Sequence, residues 1–193
     1  MFESLPDIPR LFTALAEWGA ALVYVFVVAR SASSNALNTN AAIPRWRLAA
    51  AAVGGLVVLV GAQELLGRAP LSLWVPGMMT AYALVWCVIR VGTALDWRWV
   101  THMSTRAFIV AELAASLAWQ VVVYSHADKP FWHPASLCGY TAISATCLAV
   151  VYVCERRVVR QGALPVLRLA DLASAVVIGI AIFALSNRSE EHT

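Results

Sequence analysis

Leu11 to Ala29 reads LFTALAEWGAALVYVFVVA, an apolar run with one ionisable side chain, Glu17. A helix needs about 20 mainly apolar residues to cross the hydrocarbon core of a bilayer, and this run supplies that length. Five more runs follow: Leu48 to Leu66, Leu71 to Ile89, Ala107 to Tyr124, Ala135 to Val153, and about Val166 to Ser186. An unpaired backbone group in lipid costs several kcal/mol, and barrel strands would alternate with period two, so each run is expected to be a helix. The sequence therefore predicts an all-α polytopic membrane protein, a bundle of six transmembrane helices over residues 1–187.

Composition agrees. Hydrophobic residues make up 61% of the chain and charged residues 13%, against roughly 25% charged in an ordinary soluble domain. The net charge is +3, but the basic residues are almost all Arg, scattered between apolar runs. That pattern suits span ends at lipid headgroups and gives no basic face for nucleic acid. Cys87, Cys138, Cys147 and Cys154 have no CxxC or Cys/His ligand spacing and read as small hydrophobes. Met1 to Arg10 carries Glu3 and Asp7 with no cleavage site after the first run, so the first span is expected to be retained.

Between the runs lie polar connections: Arg30 to Arg47, the tight Gly67 to Pro70 turn, and Ser125 to Pro134. Trp46, Trp74, Trp97, Trp99 and Trp132 fall near expected span ends, where an amphipathic ring prefers to sit. Pro76 inside the third run is expected to kink it, and Gly54, Gly55 and Gly61 to give the second a small-residue face.

Counting basic residues by connection sets an expected orientation. One side receives Arg30, Arg45, Arg47, Arg90, Arg98, Arg106, Arg156, Arg157, Arg160 and Arg168; the other receives Arg10, Arg68, Lys129 and Arg188. The positive-inside rule places the first set in the cytoplasm and the N-terminus outside, and six crossings return the chain to the outside. The last six residues, Arg188 to Thr193 (RSEEHT), break abruptly from the sixth run. They match a translation of the opening bases of a widely used short-read sequencing adapter. On that reading residues 188–193 are a non-native tail and the natural protein continues beyond about Asn187.

Polar residues inside spans are costly and merit a functional reading. With this topology Glu17, Gln63, Glu64 and Gln120 fall in the outer portions of spans one, two and four, near a connection carrying His126, Asp128, Lys129, Trp132 and His133. Two readings stand: a ligand pocket open to the outside, or interhelical hydrogen-bonding glue. On the inner side Arg168 and Asp171 are spaced to form a structural ion pair, and Arg106 and Glu112 flank the start of the fourth run. The His126, Asp128 and His133 spacing fits no metal motif, and no catalytic triad, carboxylate pair or phosphate loop occurs, so the chain as given is assigned no metal, cofactor or catalytic residue.

Four stretches carry a family resemblance: LPDIPRLFTALAEWGAALVYV (Leu5 to Val25), LSLWVPGM (Leu71 to Met78), RAFIVAELAASLAWQ (Arg106 to Gln120) and LADLASAVVIGIAIFALSN (Leu169 to Asn187). They resemble the N-terminal membrane region of bacterial sensor histidine kinases with a GHKL-type ATP-binding domain, the class that includes Agr-type quorum-sensing receptors. The resemblance spans nearly the whole chain and includes the ordered polar residues Glu17, Glu112 and Gln120. It implies a multi-pass sensory domain in the bacterial cytoplasmic membrane, signalling to a kinase that uses ATP and Mg and acts as a homodimer on a response regulator. An extracellular small ligand or peptide would be the input. In that family a further span, a phospho-acceptor helix and the ATP-binding domain follow; none of these stretches occurs in this sequence, so no catalytic residue carries over. The rival expectation is a small standalone transporter or transporter subunit, with intramembrane carboxylates carrying a proton or cation. A membrane-embedded processing enzyme would need a nucleophile or metal set that this sequence lacks.

Overall fold

The computed structural model describes residues 9–34, 43–70, 73–93, 95–125 and 132–160. Within them every regular element is helical: α1 (Arg10–Ser34), α2 (Arg45–Ala49), a π-helical turn (Ala50–Gly54), α3 (Gly55–Leu66), α4 (Trp74–Thr93), α5 (Trp97–Ser125) and α6 (Pro134–Arg160). Joined through the π turn, α2 and α3 form one span, Arg45–Leu66. Among the described residues five helices are thus long and apolar enough to cross a membrane. The expected sixth span, with Arg168 and Asp171, lies outside the described residues, as do residues 188–193.

Helix α1 is the hub. It packs against α3, α4, α5 and α6, and its contact with α5 is the most extensive in the bundle. Small side chains explain the closeness: Ala14, Ala16, Ala20 and Ala21 of α1 are buried, and so are Ala107, Ala111, Ala114, Ala115 and Ala118 of α5. Lipid tails are as apolar as the side chains, so association relies on close packing, which alanine rows permit. The expected glycine face on the second span narrows to one residue. A Cβ on Gly55 would lie 2.9 Å from Val88, whereas nothing lies within 4 Å of one on Gly54 or Gly61.

Outward stripes are apolar as well. Val53, Val57, Leu65, Met79, Leu113 and Val150 are each more than half exposed, which in water would be an aggregation surface and in a bilayer is the lipid-facing side.

Two sequence expectations need correction. Pro76 falls in the first turn of α4, where the missing N–H has no carbonyl to bond, so it opens the helix without kinking it. The fourth span begins at Trp97, ten residues before Ala107, so Arg98 and Arg106 belong to α5 rather than to a long loop. The hydroxyls in this stretch bond back to their own helix. Thr101, Ser104 and Thr105 donate to the carbonyls of Trp97, Val100 and Thr101 at 2.9, 2.7 and 2.9 Å. Neighbouring α4 supplies the rest: the Trp86 indole donates to the Thr101 hydroxyl at 3.1 Å, and the Tyr82 hydroxyl lies 3.1 Å from that of Thr105.

Helix ends are closed by side chains. Asp96 accepts from the Arg98 N–H at 3.3 Å at the start of α5. His133 Nδ1 accepts from the Ala135 N–H at 3.3 Å at the start of α6, whose first residue is Pro134. Arg47 donates to the Val91 and Arg90 carbonyls at 2.7 and 3.2 Å, covering the end of α4. In the π turn the Ala52 carbonyl accepts from the Trp18 indole at 2.7 Å, which ties α1 to the distortion.

Candidate functional site

Antiparallel neighbours divide the bundle into two ends. Arg10 and Arg68 mark one; Arg30, Arg45, Arg47, Arg90, Arg98, Arg156 and Arg157 mark the other. Each half contains a buried polar cluster against α1.

The first lies toward the Arg10 end. Glu17 is two turns into α1, about 10 Å along the axis from Arg10. It is fully buried, and Gln63 of α3 is 1% exposed. The Gln63 Nε2 donates to Glu17 Oε1 at 2.8 Å. Glu112 of α5 and Arg10 both stand within electrostatic reach of the Glu17 carboxyl, and Tyr140 of α6 within reach of Glu112. Four helices therefore contribute to one polar locus. Glu17 Oε2 and Glu112 Oε1 are buried without a hydrogen-bond partner among the described residues. A cavity of about 20 Å³, room for one water, is bounded by Arg10, Gln63, Leu66, Leu73, Gly77 and Met78, where α1, α3 and α4 meet at this end. Phe12 of α1 and Tyr140 of α6 stack edge to face, with ring centroids 4.8 Å apart, in a small cluster with Ala118, Trp119 and Val122 of α5.

The second cluster lies toward the arginine-rich end. Arg106 of α5 forms an ion pair with Glu155 of α6, reinforced by a 3.4 Å contact from its other terminal nitrogen. Glu155 also accepts from the Tyr24 hydroxyl of α1 at 3.4 Å. Arg106 is half-exposed, whereas Glu155 and Tyr24 are buried. Tyr24 is seven residues after Glu17, two turns along the same face of α1, so one helix face carries both clusters.

Of the four residues expected to line an outer pocket, the structure brings together Glu17 and Gln63. Glu64 and Gln120 lie on exposed faces of α3 and α5. Consecutive helical residues point about 100° apart, so Glu64 cannot share the face of Gln63. Arg106 finds its partner on α6 rather than in Glu112. Sequence reasoning missed Arg10, Tyr140 and Glu155 and set Glu112 aside as structural. The signal for Glu112 was its place inside the buried alanine row of α5, between Ala111 and Ala115. Glu155 was hidden among Arg156 and Arg157 at the span end.

Among the described residues no three His, Cys, Asp or Glu side chains converge as a metal set. His126, Asp128 and Lys129 lie outside the described residues. His133 is a helix cap, and the four cysteines are unbridged. The chain matches no protein-family model, no curated protein and no solved structure. Among the described residues its class is therefore defined by its own architecture: a helical bundle built around α1, with five helices long and apolar enough to cross a membrane.

Proposed function

We propose that this chain is the membrane sensory module of a two-component sensor histidine kinase in the bacterial cytoplasmic membrane. The observation that carries the reading is that one face of α1 holds both polar clusters, Glu17 with Gln63 in one half and Tyr24 with Glu155 and Arg106 in the other. A ligand at the Arg10 end that engages Glu17 or Gln63 changes the free energy of one α1 arrangement relative to another, and only such a difference shifts an output. The Arg106–Glu155 pair is the element that releases or re-forms as α1 moves. By the positive-inside rule the arginine-rich end faces the cytoplasm and the N-terminus is outside. The input is an extracellular small ligand or peptide, and the output is a homodimeric kinase using ATP and Mg to phosphorylate a response regulator.

The family resemblance of the four sequence stretches supports this reading. The test is the source DNA read continuously through codon 187. An open reading frame that runs on into an ATP-binding kinase domain is expected; a native stop codon or a domain of another kind overturns the proposal. The buried carboxyls Glu17 and Glu112 favour a second reading, a small transporter subunit. Solute or cation flux in vesicles holding this chain alone would select it.

A further inference from the structure

Helices α1 and α6 run side by side in the same direction: Phe12 meets Tyr140, Gly19 meets Leu148, and Tyr24 meets Glu155. Their seam changes character along its length. At Gly19 it is closed, because a Cβ there would lie 2.7 Å from a methyl of Leu148. Two turns on along α1 and one turn on along α6, the same two faces carry Phe26 and Tyr152. There a cavity of about 320 Å³ opens, bounded among the described residues by Phe26, Ala29, Arg30 and Tyr152. That volume is within the range of small-molecule sites.

Charge says what fits it. Arg30 follows Phe26 by one turn and Arg156 follows Tyr152 by one turn, so the seam passes from two aromatic rings to two arginines as it reaches the end of the bundle. No carboxylate among the described residues pairs with Arg30. The described acids at this end are engaged elsewhere: Glu155 with Arg106 and Tyr24, and Asp96 at the start of α5. The opening is thus apolar toward the bilayer interior, where Phe26 is 48% exposed, and cationic at its mouth. A basic pocket between membrane helices at the arginine-rich side is the chemistry that takes a phosphate headgroup.

We propose that the α1–α6 seam at Phe26, Arg30 and Tyr152 binds one anionic phospholipid. The headgroup phosphate accepts from the Arg30 guanidinium, with the Tyr152 hydroxyl as a further donor. The glycerol and the upper acyl chain lie against Phe26 and Ala29. A free phosphate would use the guanidinium and leave that apolar wall uncovered, whereas a lipid meets both. A net-negative headgroup binds in preference to a zwitterionic one because no choline offsets its attraction to the arginines. The inference concerns a lateral lipid site and stands whether the chain signals or transports, so it fails separately from the kinase reading.

The experiment uses the whole chain in phosphatidylcholine nanodiscs doped with phosphatidylglycerol that carries a diazirine near its headgroup, with adducts mapped by mass spectrometry after irradiation. Adducts are expected to concentrate at residues 26–30 and 152–156. Unlabelled phosphatidylglycerol should compete about fivefold better than phosphatidylcholine with the same acyl chains, one arginine's share of attraction to an anionic headgroup. Arg30→Gln should lower labelling severalfold, whereas Arg98→Gln, at an exposed arginine of α5 at the same end, should leave it unchanged. Adducts spread evenly over the lipid-facing stripes, or equal competition by the two lipids, overturn the proposal. So do equal losses in the two variants, which would mean attraction to the whole arginine-rich end, and full competition by inorganic phosphate, which would mean a site for the anion alone. The wild-type labelling and competition decide the matter even where a variant fails to fold.

Discussion

Replacing Gln63 by Leu removes the one described donor to Glu17 while keeping the side chain's approximate volume. The bond is 2.8 Å long between residues that are 1% and 0% exposed, so no water from the lipid side replaces it. A buried polar group left unsatisfied costs about 1–3 kcal/mol. Polar pairs in membrane helices measured by double-mutant cycles give less, about 0.6 kcal/mol on average with a maximum near 1.7, because the unfolded helices also find partners. Gln63→Leu should therefore destabilise the bundle by about 1–2 kcal/mol. Glu17→Met alone should cost a similar amount, since it strands the Gln63 amide. The double variant removes both polar groups and should recover most of the loss, because replacing both partners by apolar groups of similar shape is close to neutral. Reversible unfolding in mixed micelles, followed by tryptophan fluorescence, measures all four corners of the cycle. Additive losses would refute the reasoning, since they would mean that the two side chains do not depend on each other.

Two further predictions rest on packing and on the second cluster. A Cβ on Gly92 would lie 2.7 and 2.8 Å from the two methyls of Val25, so rotating the valine trades one clash for the other. Gly92→Ala should cost about 1–3 kcal/mol in the same assay, whereas Gly61→Ala, with nothing within 4 Å, should be neutral or slightly stabilising. At the arginine-rich end, Arg106→Ala strands a buried carboxyl and should cost about 1–3 kcal/mol. Glu155→Gln keeps an acceptor for Tyr24 and leaves Arg106 half-exposed to solvent or headgroups, so it should cost under about 1 kcal/mol. Equal losses in the two variants would show that Glu155 is not the buried member.

The helices themselves were legible because a bilayer demands length and apolarity, and both can be counted along the chain. Span ends were less so. Trp97 to Arg106 reads as a loop by its polarity, yet its hydroxyls bond back to their own helix and to Tyr82 and Trp86 on α4. A linear pattern cannot show a polar residue satisfied by a neighbouring helix. Residues 161–193, with the expected sixth span, lie outside the described residues, so that part of the six-helix expectation stands as an expectation.

The candidate site was half legible for the same reason. Hydropathy marks Glu17, Gln63, Glu64 and Gln120 alike as polar residues in apolar runs, but their chemistry depends on angle as well as depth. Gln63 and Glu64 differ by one position and face different surroundings, one toward Glu17 and the other toward the exterior. Glu112 is the converse case. Nearness in sequence groups it with Arg106, yet six residues along a helix separate the two by about 9 Å of rise and about 120° around the axis. Each then joins a different cluster: Glu112 with Glu17 and Arg10, Arg106 with Glu155 and Tyr24. The alanine row of α5 makes this sorting possible, because small side chains bring α1 close enough for one of its faces to serve both clusters. A bulky substitution in that row, at Ala111 or Ala115, would therefore disturb both clusters together, whereas a change within either cluster acts first on its own end.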